Sequence, residues 1–461
     1  MVKRWFAALS ASLFMVILWG YDAYAAYPPE REKLPLLSAD YISGNKEQDL
    51  QLARNIASWQ MDHGGWYKFT DNRYYEPWDG VTPRSDIKLS DGTEVGIIDN
   101  NATVDQLLFV SLMYRESGDP VLQESMLKGI DFLLNMQYET GGWPQVYPLN
   151  NSYADYVTYN DDAMMRVMIT LKLVAEQQFP FDHDGIDAER VARAAKAIEL
   201  GLDYILKSQI EVDGYPTAWG QQHDPYTYEP REGRAYEHPS LSGAESVGIV
   251  NYLLQIPDPS DEVKKAIVGA LRWFDRVKLD GVKYVAGDPQ GAYFYRDGES
   301  VTWFRFYEIG TNHPIFSGRN GLIKHNIHQI EQERADGYRW AGEWAKDLLP
   351  YIETLDYFKE VSHQLDVERL QKERARKAAE QEAQQATAEV DEAVSGEEVA
   401  HADVTAATPQ QDAMFASDVE WESRAEQSQS RGLIVLMVGG AGLLALVAFM
   451  LGRRLGKRQV G

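Results

Sequence analysis

The 461-residue sequence predicts an all-α fold, an (α/α) toroid or incomplete barrel of helix-pair repeats with long functional loops. Three observations point to it. First, a helical stretch ends three times in Gln, five residues before a Gly that is followed by an aromatic. The copies are Gln60–Gly65–Trp66, Gln137–Gly142–Trp143 and Gln209–Gly214–Tyr215. Their interval of about 75 residues suits a helix pair plus loops, not a single helix. Second, other stretches with apolar residues three to four apart alternate with these helices: TVDQLLFVSLMYRES from Thr103, DDAMMRVMITLKLVAEQ from Asp161 and AESVGIVNYLLQI from Ala244. Third, strand signals are scarce. A fourth copy, AIVGALRWFDRVKLDGVKY, is degenerate, with Gly281 in place of the loop glycine.

Along the chain, residues 1–25 read as a secretory signal peptide. Lys3 and Arg4 precede an apolar run, and Ala23 and Ala25 form an A-x-A cleavage site. An uncleaved anchor is the competing reading. Residues 26–48 look irregular, and 49–355 carry the repeats and form the main globular domain. Residues 356–385 are charged and Ala-rich, as in a solvated helix laced with i,i+4 pairs. Residues 386–431 are acidic and poor in apolars, a disordered linker. Residues 432–452 are long and apolar enough for a transmembrane helix, and the basic tail 453–461 should stay in the cytoplasm. A sorting tail that is later removed competes with that reading. The expected product is exported, a monomer, and tethered through its C-terminal helix with domain 49–355 in the periplasm or at the cell surface.

Composition narrows the chemistry. A net charge of −25 argues against nucleic acid as a partner. It leaves room for an anionic small ligand, because local arginines or a metal override the mean field. With no Cys there is no disulfide framework, no Cys-held zinc and no thiol nucleophile. Any metal must be held by oxygen or His, and with 9 His the oxygen ligands lead. The 26 Tyr and 12 Trp supply sugar-stacking candidates, although in a helical protein most such rings are core.

Three helix starts are unusually polar: IIDNNATVDQ (Asp99, Asn100, Asn101), VTYNDDAMM (Asn160, Asp161, Asp162) and HPSLSGAESVG (Ser240, Ser242, Glu245). Helix capping explains one residue in each cluster, not two or three. Equivalent repeats would bring Asp99 and Asp161 to the same end of neighbouring helices, as a hard cation requires. Caps and solvated loops are the bland alternative. Two later segments are rich in Arg, amides and aromatics. One carries Trp219, Gln221, Gln222, His223, Arg231, Arg234 and His238; the other carries Arg305, Tyr307, Glu308, Asn312, Arg319 and Asn320. Long loops without helical period are usually functional, and the Arg fork suits carboxylates. Together these residues suggest an anionic carbohydrate, against surface ion pairs for each Arg alone.

The motifs IDNNATVDQL, TYNDDAMMRV, AWGQQHDP, REGRAYEHPSLSGAESVG and RFYEIGTNHPIFSGRNG, in that order over roughly residues 49–345, resemble the family-10 pectate lyases. The resemblance implies an (α/α) toroid that cleaves polygalacturonate, or oligogalacturonides, by Ca²⁺-assisted β-elimination. It implies Asp99, Asp161 and Asp162 around calcium. It implies Asp99, Asn100, Trp219, His238, Arg305, Asn312 and Arg319 on the substrate, and Arg234 as catalytic base. His313 stands where a basic Arg is expected, which bears on one sugar subsite. The residues alone favour His238 or His223 as the base, since a guanidinium is normally always protonated. Two other functions compete: a glycoside hydrolase using Asp99 and Asp161 as acid and base, and a non-catalytic, membrane-tethered pectin-binding protein.

Overall fold

The computed structural model describes residues 36–38, 41–68 and 73–394, with side chains as far as 385. The expected signal peptide, transmembrane helix and basic tail lie outside the described residues, as does the linker beyond 394. Among the described residues no helix is long and apolar enough to cross a membrane. The described residues up to Glu382 belong to one compact unit and those from Ala383 to another.

After α1 (Lys46–Ser58), the first unit is built from three helix pairs. These are α2 (Val104–Ser117) with α3 (Pro120–Asn135), α4 (Ala163–Ala175) with α5 (Ala188–Ser208), and α6 (Glu245–Leu254) with α7 (Asp261–Val277). Successive first members touch one another, α2 on α4 and α4 on α6; so do the second members, α3 on α5 and α5 on α7. The two sets differ in burial. Val104 to Met113 of α2 are buried all round, whereas α5 buries a single stripe of Ala194, Ala197, Gly201, Tyr204, Ile205 and Ser208. They also differ in how they start. Helices α1, α3, α5 and α7 are capped by the side chains of Asn45, Asp119, Asp187 and Ser260. Helices α2, α4 and α6 take no bond from the side chain of their own N-cap residue, although Ser242, two residues before the α6 cap, accepts from Glu245 N at 3.2 Å. The other polar residues at those three starts serve something other than their own helix.

The repeated Gln is a staple. The Gln60 amide donates to Gly64 O at 2.7 Å in its loop and to Ser125 O at 2.9 Å in α3. Gln137 joins Gly141 O to Ala197 O of α5, and Gln209 joins Thr217 O to Ala266 O of α7. Each copy therefore ties its loop to the second helix of the following pair. Gln60→Ala would strand two carbonyls in a closed environment, at a cost of about 1–3 kcal/mol. Urea unfolding checks this, and a loss below ~0.5 kcal/mol, the scatter of neutral surface changes, counts against the staple.

The third copy is longer than it reads. Met61 N, Tyr138 N and Ile210 N donate to Gly65 O, Gly142 O and Ala218 O. The aromatic equivalent to Trp66 and Trp143 is thus Trp219, not Tyr215, because a tight hairpin pairing Glu211–Val212 with Tyr215–Pro216 is inserted before it. All three indoles are fully enclosed and donate to a helix carbonyl, of Ile56, Leu133 and Ile205. Trp303 repeats the bond to Phe274 O. After α7 comes a feature the periodicity does not signal: antiparallel strands β1 (Leu279–Tyr284) and β2 (Phe294–Phe304), the second of which carries Trp303. Gly281, at φ 70°, belongs to that hairpin rather than to a fourth loop.

The charged helix α8 (Phe358–Val394) continues past the expected boundary at 385. Its first turns are less solvated than their composition suggests. Val361 and Leu365 are buried against Val268, and Asp366 accepts from Arg272 and from the Tyr215 hydroxyl.

Candidate active site

The three polar helix starts converge. Ile97, Thr158 and Ser242 donate their N–H groups to the carbonyls of Trp66, Trp143 and Trp219. This correspondence pairs Asp99 with Asn160, one residue before Asp161. Asn100, Asn101, Asp161 and Asp162 all hold φ between 49° and 66°. That region is open mainly to Gly, Asn and Asp, so these residue types are needed for backbone shape as well as for chemistry. Thr103, at φ 61°, is a β-branched exception. It is held by its hydroxyl, which accepts from Trp66 N and donates to Ile97 O.

Asp99, 4% exposed, is bonded to Lys68 Nζ, to Asn100 Nδ2 at 2.9 Å and to Asn160 Nδ2 at 3.3 Å. Asn160 also donates to Asp161 Oδ2 and accepts from Gln221. Arg305 enters from after the hairpin. Its Nη2 is bonded to Glu245 Oε1 and lies 3.3 Å from Asn160 Oδ1 and 3.5 Å from Asp161 Oδ1. Its Nε is buried with no hydrogen-bond partner, as is Gln221 Oε1. Burial works against the Arg305 charge, but Glu245, with Tyr338 and Asp161, outweighs it and holds the guanidinium protonated. Burial also pushes the Glu245 carboxyl up, which Arg305 and the Ser242 hydroxyl only partly offset.

Asp162 carries the excess charge of the cluster. Burial raises its carboxyl to about 6, and Glu245 and Asp161 add to the effect against Arg166 and Arg305. The residue remains open to solvent along one side. Its carboxyl lies against Gly248 of α6, where a Cβ would stand 2.0 Å from Oδ1.

Arg234 lies in a second, adjoining part of the site. Its fork meets Glu237 twice, Nη2 to Oε1 at 2.6 Å and Nε to Oε2 at 3.1 Å. Burial lowers its pKa, but Glu237 outweighs that and the guanidinium titrates above its ordinary value. This sign opposes a role as base in the chain as it stands. Glu237 is 2% exposed. Burial would raise its carboxyl, yet Arg234 and the hydroxyl of Tyr338 hold it at about 2. Tyr338 also underlies Arg305 and Arg234, 5.0 and 5.8 Å from its ring centre. Tyr153 lies within electrostatic reach of Arg234, Glu237 and Asp99.

The structure thus gathers Asp99, Asn100, Asp161, Asp162, Arg234 and Arg305 in one region. It corrects Trp219, whose fully buried indole is a repeat anchor and offers no surface to a sugar. Asn312 is placed apart. Its Oδ1 accepts from Trp273 Nε1 beside a hollow lined by Arg276, Leu279 and Tyr307. His238 bonds the Ser317 hydroxyl at 3.1 Å, and burial lowers its pKa. Exposed Arg319 pairs with Glu333 at 3.1 Å. His223 is enclosed between Gly220 N and Tyr228 O, with its pKa depressed to about 4 by burial. Glu237, Tyr338 and Tyr153 join the site although no motif singles them out. One signal for Glu237 is Gly233, where a Cβ would stand 2.6 Å from Glu237 Oε2.

No three Asp, Glu or His side chains among the described residues form a ready-made metal cage. The donor set is nonetheless hard oxygen, with Asp162 left short of compensating charge.

The pectic acid lyase family model matches residues 60–349. The structure is similar to that of a mutant family 10 polysaccharide lyase from Cellvibrio cellulosa in complex with trigalacturonic acid. The two are 33% identical, the match covers 67% of this chain and 93% of that one, and the TM-score is 0.61. It is also similar to the family 10 polysaccharide lyase of that organism, at 31% identity, 70% and 98% coverage and a TM-score of 0.59. No curated protein matches.

Proposed function

We propose that this chain, which belongs to the pectic acid lyase family, cleaves α-1,4-polygalacturonate by calcium-assisted β-elimination, releasing unsaturated oligogalacturonides. It is a polysaccharide lyase by family and by its solved relatives. The observation that carries the finer reading is Arg305, a protonated guanidinium set among Glu245, Asp161 and Asn160 beside the acidic cluster. That fixed cation suits a carboxylate, the one anionic group on a galacturonate.

Elimination removes the proton on C5 and breaks the C4–oxygen bond, leaving a C4=C5 double bond. The barrier is the acidity of C5–H, which depends on stabilising charge that develops on the adjoining carboxylate. Cations fixed where that charge appears stabilise it more than any other group in the site can. Arg305 supplies one without reorganising, because its other contacts hold it. Asp99, Asp161 and Asp162 would hold Ca²⁺, which seeks six to eight oxygens and would take the remainder from the sugar carboxylate and water. When bound, calcium would act as a Lewis acid on that carboxylate.

Arg234 is the proposed proton acceptor. Only the neutral guanidine can take the proton. Glu237 favours the cation, whereas Arg305 and a bound cation favour the neutral form. The pH profile reads this balance. With Arg234 as base, kcat/KM climbs with pH well beyond neutrality. A plateau above pH ~7 instead assigns the proton to an imidazole such as His238.

We also read the two helix layers as an incomplete (α/α) toroid, with segment 432–452 as its membrane tether. The deciding assay follows ultraviolet absorbance of the C4=C5 product from polygalacturonate with calcium, with EDTA, and with calcium restored. A lyase gives absorbance that EDTA removes and calcium returns. New reducing ends without absorbance indicate a hydrolase, and binding with neither indicates a pectin-binding protein.

A further inference from the structure

Between the two halves of the site stands a buried carboxylate with no assigned part in the reaction. Glu237 accepts from Arg234 at three points: Nη2 to Oε1, Nε to Oε2, and the Arg234 backbone N–H to Oε2 at 2.9 Å. The Tyr338 hydroxyl adds a bond to Oε1 at 2.8 Å. Gln221 Nε2 reaches the same Oε1 at 3.4 Å while bonding Asn160 Oδ1. Asn160 is the residue that touches Asp99, Asp161 and Arg305. A continuous hydrogen-bonded path thus runs from Arg234 through Glu237, Gln221 and Asn160 to the acidic cluster. Two nitrogens of the Arg234 fork are occupied by this path, leaving Nη1 as the nitrogen not engaged by Glu237.

We infer that Glu237 is a positioning residue: it fixes the Arg234 guanidinium so that Nη1 alone meets the substrate, and it sets that nitrogen in register with the Asp99–Asp161–Arg305 cluster. The inference rests on the lyase reading. A wholly structural role for Glu237 would tie two loops together and lower stability without regard to Arg234. A positioning role acts through Arg234 and vanishes when the fork is gone. The glycine before Arg234 fits the positioning role, since a side chain at Gly233 would collide with Glu237 Oε2.

The test is a double-mutant cycle on full-length protein, scored by formation of the unsaturated product. Glu237→Gln keeps the shape of the side chain but turns one acceptor into a donor facing Arg234. Expected is a fall in kcat of about 100-fold with KM changed less than about threefold, since the loss is of geometry in the reacting complex. In an Arg234→Lys background the same substitution should cost less than about twofold, because the fork it aligns is absent. Tyr338→Phe removes one hydroxyl from the same carboxylate and should give a smaller fall, about three- to tenfold, with a modest drop in melting temperature, since Glu237 keeps its bonds to Arg234. It covers the case in which Glu237→Gln fails to fold. Equal losses from Glu237→Gln with Arg and with Lys at 234 overturn the inference, as does full activity of Tyr338→Phe together with an active Glu237→Gln. An active wild type with either of those outcomes sinks this inference alone. An inactive wild type removes the lyase reading and this inference with it.

Discussion

Arg305→Ala is expected to destabilise the fold by about 3–5 kcal/mol and to lower lyase turnover at least ~10³-fold. The first effect follows from what the substitution leaves behind. Glu245 is 3% exposed, and Arg305 is its cationic partner. Without it, a buried carboxylate keeps only the Ser242 hydroxyl and its own backbone, while Asp161 and Asp162 remain close enough to repel it. Total stability of a domain is typically ~5–15 kcal/mol, so the variant would be near its folding threshold at 37 °C. Arg305→Lys separates the two roles. An ammonium restores charge beside Glu245 and should recover much of the stability. It cannot meet Glu245, Asp161, Asn160 and a substrate carboxylate at once, so turnover should stay low. Urea unfolding and the ultraviolet product assay read the two quantities independently. A wild-type-like melt for Arg305→Ala would mean that the ion pair is not carrying Glu245.

The parts of this site differ in how far they can be read from sequence. The Gln repeats are visible because a period survives in the chain, and the structure gives each Gln the same two kinds of carbonyl. The polar helix starts are visible because capping cannot account for them all; α2 and α4 take no side-chain cap, and at α6 Ser242 alone serves the helix start. Spacing misplaces Trp219 for a physical reason: four inserted residues, folded into the Glu211–Pro216 hairpin, move the indole away from the spacing of the first two copies. Glu237 and Tyr338 are not visible at all. They belong to segments without period and meet across a sequence separation of 101 residues, which no local pattern encodes. Two glycines are the available clue. Gly248 inside helix α6 is a poor helix former, and Gly233 precedes Arg234. Both are places where a carboxylate of the site occupies the space of a Cβ.

Asp162→Asn should stabilise the calcium-free protein while removing its activity. The carboxyl of Asp162 is raised from its ordinary 3.8 to about 6, first by burial and then by Glu245 and Asp161. A group whose folded pKa lies above its unfolded value makes the folded state the better proton binder. Its stabilising effect is whole below pH 3.8, fades as pH rises toward 6, and is gone above that. An amide has no proton to lose. The variant should therefore match the wild type near pH ~4 and melt higher than it at pH ~8 in EDTA. Because Asp162 is open to solvent on one side, the gain is expected to be on the order of 1 kcal/mol rather than the full value of the shift. Calcium should reverse the ranking. Bound to the wild type it compensates the charge that Asp161, Asp162 and Glu245 impose on one another, raising the melting temperature with concentration. Asn supplies a neutral oxygen in place of a carboxylate, so the variant should show a weaker rise and a turnover ~10²–10³-fold lower. The opposition of signs is what makes the measurement decisive. A residue that merely shapes the α4 start would show no such reversal, because Asn accepts φ 59° as readily as Asp and the exchange would leave stability nearly unchanged at every pH, with or without calcium. A residue held at electrostatic cost for a cation gains stability when the cation is absent and loses function when it is present.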